Sequence, residues 1–286
     1  YLNKNVATAA VAASVHYFDL TEDVPTTDYI MGLSKKAKTL LAPQCGLAPG
    51  LIGMIGAHLA SQFDALRSIE LKVGALPAHP KGGLGYACTW SPAGVVNEYI
   101  KDCEVIYNGQ KKRVPPLEGL ESVAIHGMAL EAFTTAGGLG TMCDTYAGVV
   151  GQLTYKTMRY PGHCQYMKFL LEEMHLREQP ELAVELLENA CPPVPEDVVY
   201  VYASVTGLLE NKLNTDQFVA AYRPLEIDGQ TWRAIAWTTA ASVVGVVELV
   251  ARGKLPKRGF LKQEQIPLEQ LLATSSGQLF QVGQGA

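Results

Sequence analysis

Two kinds of hydrophobic patterning divide this chain, and the change between them limits its fold more than any other feature. Up to residue 63, apolar segments of helix and strand period alternate: a helix over 3–13, a strand over 15–20, a helix over 26–38, a strand over 39–44, and a helix over 51–63 that starts after Pro49-Gly50. Strands separated by helices pair in parallel, because the helix carries the chain back across the sheet. From Ser68 onward the strands lengthen and hairpin signals join them. Asn108-Gly109 separates 104–107 from 110–114, and Asp228-Gly229 separates 225–227 from 230–235. Both dipeptides accept the positive φ of a tight hairpin turn, so they call for antiparallel pairs. Helices are expected at 93–100, 166–175 and 181–189, and a strand at 198–209. The run CPPVP at 191–195 is a rigid connector.

Composition removes several classes of function. With 286 residues and 48% hydrophobic side chains the chain can fill a large core. Its net charge is −5 and its longest basic run is 111–113, so the footprint of a nucleic-acid binder is missing. The apolar stretch 234–247 is interrupted by Thr238, Thr239 and Ser242 and followed by Glu248; it reads as a buried helix, and no membrane is expected as a partner. Six cysteines stand far apart with no C-x-x-C pair, the usage of a reducing compartment, so free thiols and a cytoplasmic location are expected. The histidines make no H-x-x-x-H spacing, and no metal site is expected.

In an open parallel sheet, ligands bind beyond the carboxyl ends of the strands. Two reactive stretches occupy that place, one with Asp19, Thr21 and Glu22, the other with Cys45, Gly46, Pro49 and Gly50. The plainer reading is that Thr21 and Asp23 cap a helix and that Gly46, Pro49 and Gly50 shape a turn. For Cys45 the choice lies between a thiol activated at a helix start and a small packing residue. His163 follows a Pro-Gly turn and is expected near the surface.

The stretches HYFDLTEDV, APQCGLAPGLIG, LGYACTWSPAGVVNEY, FTTAGGLGT, YKTMRYPGH and GFLKQEQIPLEQLLAT together resemble the saccharopine dehydrogenase-like family, most of all its lysine 6-dehydrogenase-like branch. The resemblance implies an α/β plus α+β fold. A remnant of a Rossmann-type parallel sheet lies in 1–67, a substrate-binding and dimerisation domain with a mixed, largely antiparallel sheet in 68–252, and a segment returning to the Rossmann side in 253–286. The family's G-x-G-x-x-G turn is missing, since 137–142 reads GGLGTM, and the chain is expected to be a truncated form of a longer parent.

For that parent the resemblance implies NAD or NADP as cofactor, an amino-acid substrate, and a homodimer or higher homo-oligomer. Asp19, Thr21, Cys45, Gly46, Pro49 and Gly50 fall on the cofactor side. Hydride transfer at an amine-bearing carbon needs a group for the amine proton, with Asp19, Glu22, Glu98, Lys156 and His163 as candidates. Trp90, Ser91, Asn97, Thr134, Gly137, Gly138, Tyr155, Thr157, Arg159 and Tyr160 are implied in substrate binding. Arg159 is the natural fork for a carboxylate. Saccharopine reductases read G-L-D-P-G where this chain has Gly46-Leu47-Ala48-Pro49-Gly50, which favours a smaller amine such as lysine. The alternative function is a catalytically silent dimerisation or scaffold domain. A hydrolase is disfavoured, since no G-x-S-x-G elbow is present.

Overall fold

The computed structural model describes residues 2–284. In chain order the elements are α1 Asn3–Ala13, β1 Tyr17–Phe18, α2 Val24–Ser34, β2 Leu40–Ala42, α3 Leu51–Ala60, β3 Ala65–Pro77, α4 Pro92–Ile100, β4 Cys103–Tyr107, β5 Gln110–Val114, β6 Glu121–Ile125, β7 Met128–Thr134, α5 Met142–Tyr146, β8 Val150–Arg159, α6 His163–Lys168, α7 Pro180–Ala190, β9 Asp197–Leu209, β10 Lys212–Tyr222, β11 Leu225–Ile227, β12 Gln230–Trp232, α8 Ala234–Ala251, β13 Gly259–Phe260, α9 Leu268–Leu272 and α10 Leu279–Gln284.

The first region makes a three-stranded parallel sheet in the order β1-β2-β13. Its third strand, Gly259–Phe260, comes from the far end of the chain and pairs with β2. The larger sheet has eight strands. Its path runs β10-β9-β3-β8-β4-β5, and β7 also pairs with β8 and carries β6. Only β3 and β8 run parallel; every other pair in it is antiparallel. Both Asn108 and Asp228 take positive φ at the expected hairpin turns.

Local chemistry explains where elements begin. The Asp23 carboxylate accepts from the Thr26 N–H at 3.0 Å and the Thr26 hydroxyl at 2.7 Å, so α2 begins at Val24 with Pro25 in its first turn and ends at Ser34, earlier than the expected 26–38. The strand expected over 15–20 shrinks to two residues, and β2 to three. The helix expected at 166–175 starts at His163 and continues as a π-helical turn, Phe169–Glu173.

Helices α3 and α8 cover one face of the large sheet. Ile69, Leu71, Val73 and Ala75 of β3 alternate inward there, against Ile52, Ile55 and Leu59 of α3 and Ala241 and Leu249 of α8. Each such Ile, Leu or Val side chain removed from water is worth about 1.5–3 kcal/mol. Helix α8 is long and apolar enough to cross a membrane by length and composition, but its buried Trp237, Ala241, Val246 and Leu249 belong to this core. A second core, on α4, α6 and α7, contains Leu76, Val95, Tyr99, Phe133, Met158 and Leu187. The boundary expected at 67/68 falls inside β3, and one apolar cluster joins residues on both sides of it, from Leu40 to Phe280.

Candidate active site

Where the small sheet's strand ends face the large sheet, a cavity of about 310 Å³ opens. Leu20 and Glu22 come from the loop after β1, and Gly46, Leu47, Ala48 and Pro49 from the loop after β2. Val73 and Ala75 of β3, then Tyr155, Thr157 and Arg159 of β8, supply the floor. Trp90, Ser91 and Glu98 reach in from α4 and its entry, Ile235 and Thr239 from α8. The pattern along β8 is the period of a strand: 155, 157 and 159 share a face, whereas 156 and 158 point away.

Two buried ionisable side chains set the chemistry of this apolar chamber, which Glu22 also lines. Arg159 is 3% exposed. Its Nε–H donates to the Tyr99 hydroxyl at 2.8 Å and its Nη1 to the Met158 carbonyl at 2.9 Å, while the guanidinium lies 4.9 Å from the centroid of the Tyr86 ring. Its Nη2 makes no hydrogen bond to any described residue. Glu98 is 6% exposed. Burial pushes its carboxyl up to about 8, against the pull of Arg159 and with a further push from Glu22. No described residue hydrogen-bonds its carboxyl group. A second cavity of about 350 Å³ adjoins the first through Glu22 and Glu98, and Asp23, Asp28, Asp102, Glu104, Lys101 and Arg113 also line it.

The residues singled out from sequence divide into three groups. Glu22, Gly46, Pro49, Trp90, Ser91, Glu98, Tyr155, Thr157 and Arg159 line the first cavity. Asn97 and Gly137 line the second. Gly138 lies under the Tyr155 ring, where an added Cβ would stand 2.3 Å from a ring atom.

The third group lies outside the cavity lining. Asp19 ties the two strand ends together: its carboxylate accepts from Asn3, the Tyr17 hydroxyl and the N–H groups of Thr21 and Gln44 at 2.6–3.1 Å. Thr21 is buried, and its hydroxyl accepts from the Asp23 N–H at 3.2 Å. Lys156 points to the other face of the sheet, bonded to the Gly119 carbonyl at 2.6 Å and paired with Glu121 at 3.2 Å. Thr134 donates to the Pro115 carbonyl at 2.9 Å and Tyr160 to the Pro77 carbonyl at 2.8 Å. Gly50, at φ 137°, is the N-cap of α3, and its N–H is held by Gln263.

Two expectations are corrected. Cys45 precedes α3 by several residues and faces the Ala42 carbonyl at 3.2 Å; burial, then the Asp19 carboxylate, raise its thiol far above the usual range, so it is a packing thiol. His163, expected near the surface, is 0% exposed. It stacks on Phe133 at 6.2 Å between ring centres, and burial followed by the Arg159 charge pushes its imidazole down to about 3. Tyr99, which binds both His163 and Arg159, was not a sequence candidate. Its neighbour Glu98 reaches the cavity from the adjacent position on α4, and nothing local connects Tyr99 to residues 60 and 64 positions away.

Solved structures share this overall fold. An apo saccharopine dehydrogenase (L-Glu forming) from Saccharomyces cerevisiae superimposes with a TM-score of 0.73 at 14% identity, over 94% of this chain and 79% of that one. A homospermidine synthase from Legionella pneumophila, solved in complex with NAD, superimposes with a TM-score of 0.62 at 11% identity, over 97% of this chain and 71% of that one. At such identities the likeness is one of fold. The sequence itself goes further: a family model described as the saccharopine dehydrogenase C-terminal domain matches residues 46–279. From the Gly46 turn at the cavity lip to the start of α10, this chain belongs to the saccharopine dehydrogenase C-terminal domain family.

Proposed function

We propose that the chain belongs to an NAD(P)-dependent oxidoreductase acting on the amine-bearing carbon of an amino acid of lysine or saccharopine type. The observation that carries this reading is Arg159: a guanidinium buried in an apolar chamber with its Nη2 bonded to no described residue. A buried charge without a counter-ion is costly, and a substrate carboxylate supplies the missing partner in the planar geometry that a guanidinium matches. Glu98 stands in the same chamber, its carboxyl without a hydrogen bond to any described residue. Its carboxyl, holding a proton below about pH 8, exchanges one with an amine near neutrality.

The nicotinamide end of a cofactor fits this chamber. Leu20, Gly46, Leu47, Ala48 and Pro49 form an apolar wall at the carboxyl ends of the parallel strands and would hold the ring. When bound, the nicotinamide supplies the hydride acceptor or donor. The chain's own groups orient the carboxylate at Arg159, handle the proton at Glu98 and exclude water by the walls of Val73, Tyr155 and Ile235. No G-x-G-x-x-G turn follows a strand among the described residues, so a pyrophosphate cradle is not part of the proposal.

The test is titration with NADH and NADPH by nicotinamide fluorescence, then turnover of L-lysine and saccharopine. Binding with turnover is expected. Arg159→Lys keeps the charge but loses the fork, and should raise KM by on the order of 10-fold or more. Turnover with an unchanged KM in that variant would count against the carboxylate role.

The silent dimerisation module has one observation in its favour. β10, eleven residues long, lies at the edge of the large sheet and leaves main-chain groups open to a second copy. That reading expects a dimer that binds neither nucleotide.

A further inference from the structure

Behind the cavity wall, three side chains from distant parts of the chain form a hydrogen-bonded line whose direction can be worked out. His163 Nδ1 lies 2.9 Å from the Leu84 carbonyl oxygen, and Nε2 lies 3.1 Å from the Tyr99 hydroxyl. A carbonyl only accepts, so Nδ1 carries the proton. With burial and the Arg159 charge driving the imidazole to about 3, the ring carries a single proton near neutral pH, and Nε2 is an acceptor. The Tyr99 hydroxyl therefore donates to Nε2, and its oxygen lone pairs are left for the Arg159 Nε–H, 2.8 Å away. Each member has one direction open to it.

This line decides which edge of the guanidinium is free. Of its five N–H groups, Nε–H is taken by Tyr99 and one Nη1–H by the Met158 carbonyl. The side edge formed by Nε and Nη2 cannot bind a carboxylate twice, because Nε is occupied. Three N–H groups remain, one on Nη1 and two on Nη2, and the one pair of nitrogens still able to meet both oxygens of a carboxylate is the Nη1/Nη2 end.

We propose that His163 is a positioning residue for the substrate's acidic group, acting through Tyr99 to commit the Arg159 Nε–H and so present the Nη1/Nη2 end of the guanidinium to the cavity. The proposal rests on the reading of Arg159 as a carboxylate fork, but it predicts an arrangement that exists without any substrate. His163 is thus placed behind the reacting centre and takes no proton from the substrate.

The test combines nitrogen NMR of the uniformly labelled chain with kinetics of two variants. In the unaltered protein one histidine should show the Nδ1-protonated tautomer, and one arginine Nε–H, assigned by its loss in Arg159→Lys, should exchange slowly with water. Tyr99→Phe keeps the ring and removes the relay. It should speed that exchange at least about 10-fold and raise KM for the amino acid by about 5- to 10-fold with kcat within 2-fold, the loss of one charge-assisted hydrogen bond. His163→Phe keeps a flat ring against Phe133 and should act in the same direction. Because the two residues work in series, the double variant should be no worse than Tyr99→Phe alone. His163→Gln, which can offer an acceptor to Tyr99, should recover part of the loss.

An Nε2-protonated tautomer, unchanged exchange in Tyr99→Phe, or additive effects of the two substitutions would overturn the relay. Should His163→Phe fail to fold, the tautomer and Tyr99→Phe decide alone. The two proposals also fail separately. The NMR pattern without turnover of any amino acid leaves the relay standing and removes the dehydrogenase reading; turnover with an unchanged KM in Tyr99→Phe does the reverse.

Discussion

Glu98 shows how far one residue's behaviour depends on neighbours that its sequence context does not name. On α4 it is one polar residue among Val95, Val96 and Tyr99; in the folded chain its carboxyl is 6% exposed, and burial raises its proton affinity from the ordinary 4.5 to about 8. The folded chain therefore holds this proton more tightly than the unfolded chain. As pH rises from about 4.5 to about 8, the unfolded state releases it first, and the stability that the bound proton contributes is lost. Glu98→Gln removes that dependence, so its Tm should exceed that of the unaltered protein above pH 8 and the difference should shrink toward pH 5. Thermal melts of both proteins across that range check this; a constant difference would mean that Glu98 ionises freely. By contrast, sequence resemblance grouped Lys156 with Tyr155, Thr157 and Arg159, and the period of β8 separates them, placing Lys156 on the far side of the sheet, where Glu121 holds it.

Element starts fell within two residues of expectation where a side chain nearby supplies the cap, as Asp23 does for α2 and Ser91, accepting from the Gly94 N–H at 3.1 Å, does for α4. The start of α8 at Ala234 agrees with the apolar run read from 234, but its cap was not readable, because it comes from elsewhere in the chain. Asp197, the buried first residue of β9, accepts from the Ala234 N–H at 2.6 Å and the Ile235 N–H at 2.9 Å, so the start of α8 is held by a residue 37 positions earlier. Asp197→Ala strands two buried donors and should cost about 2–3 kcal/mol, read as a lower urea midpoint with an unchanged slope; Asp197→Asn, which keeps one acceptor, should cost less. The π-helical turn at Phe169–Glu173 carries no local signal in the sequence, which reads there as ordinary helix.

At the scale of the whole molecule, the apolar cluster that runs from Leu40 through the large sheet to Phe280 ties the small parallel sheet to the rest. A chain held by one such core should unfold in one step: Trp fluorescence, which reports Trp90 at the cavity, Trp237 in the core and the exposed Trp232 on β12, and far-UV circular dichroism should give superimposable urea transitions. Two separated transitions, the smaller from residues 1–67, would mean that the core does not couple the two sheets. The sequence alone determined the change from parallel to antiparallel patterning, the two hairpins and the family, because these depend on periods and dipeptides read within ten or twenty residues. Only the tertiary structure decided that β13 pairs with β2, that Asp19 is fully occupied, and that Arg159, Tyr99 and His163 form one line beside Glu98. Each of these joins groups far apart in the chain, and the burial that shifts Glu98 and His163 exists only once both faces of the large sheet are covered.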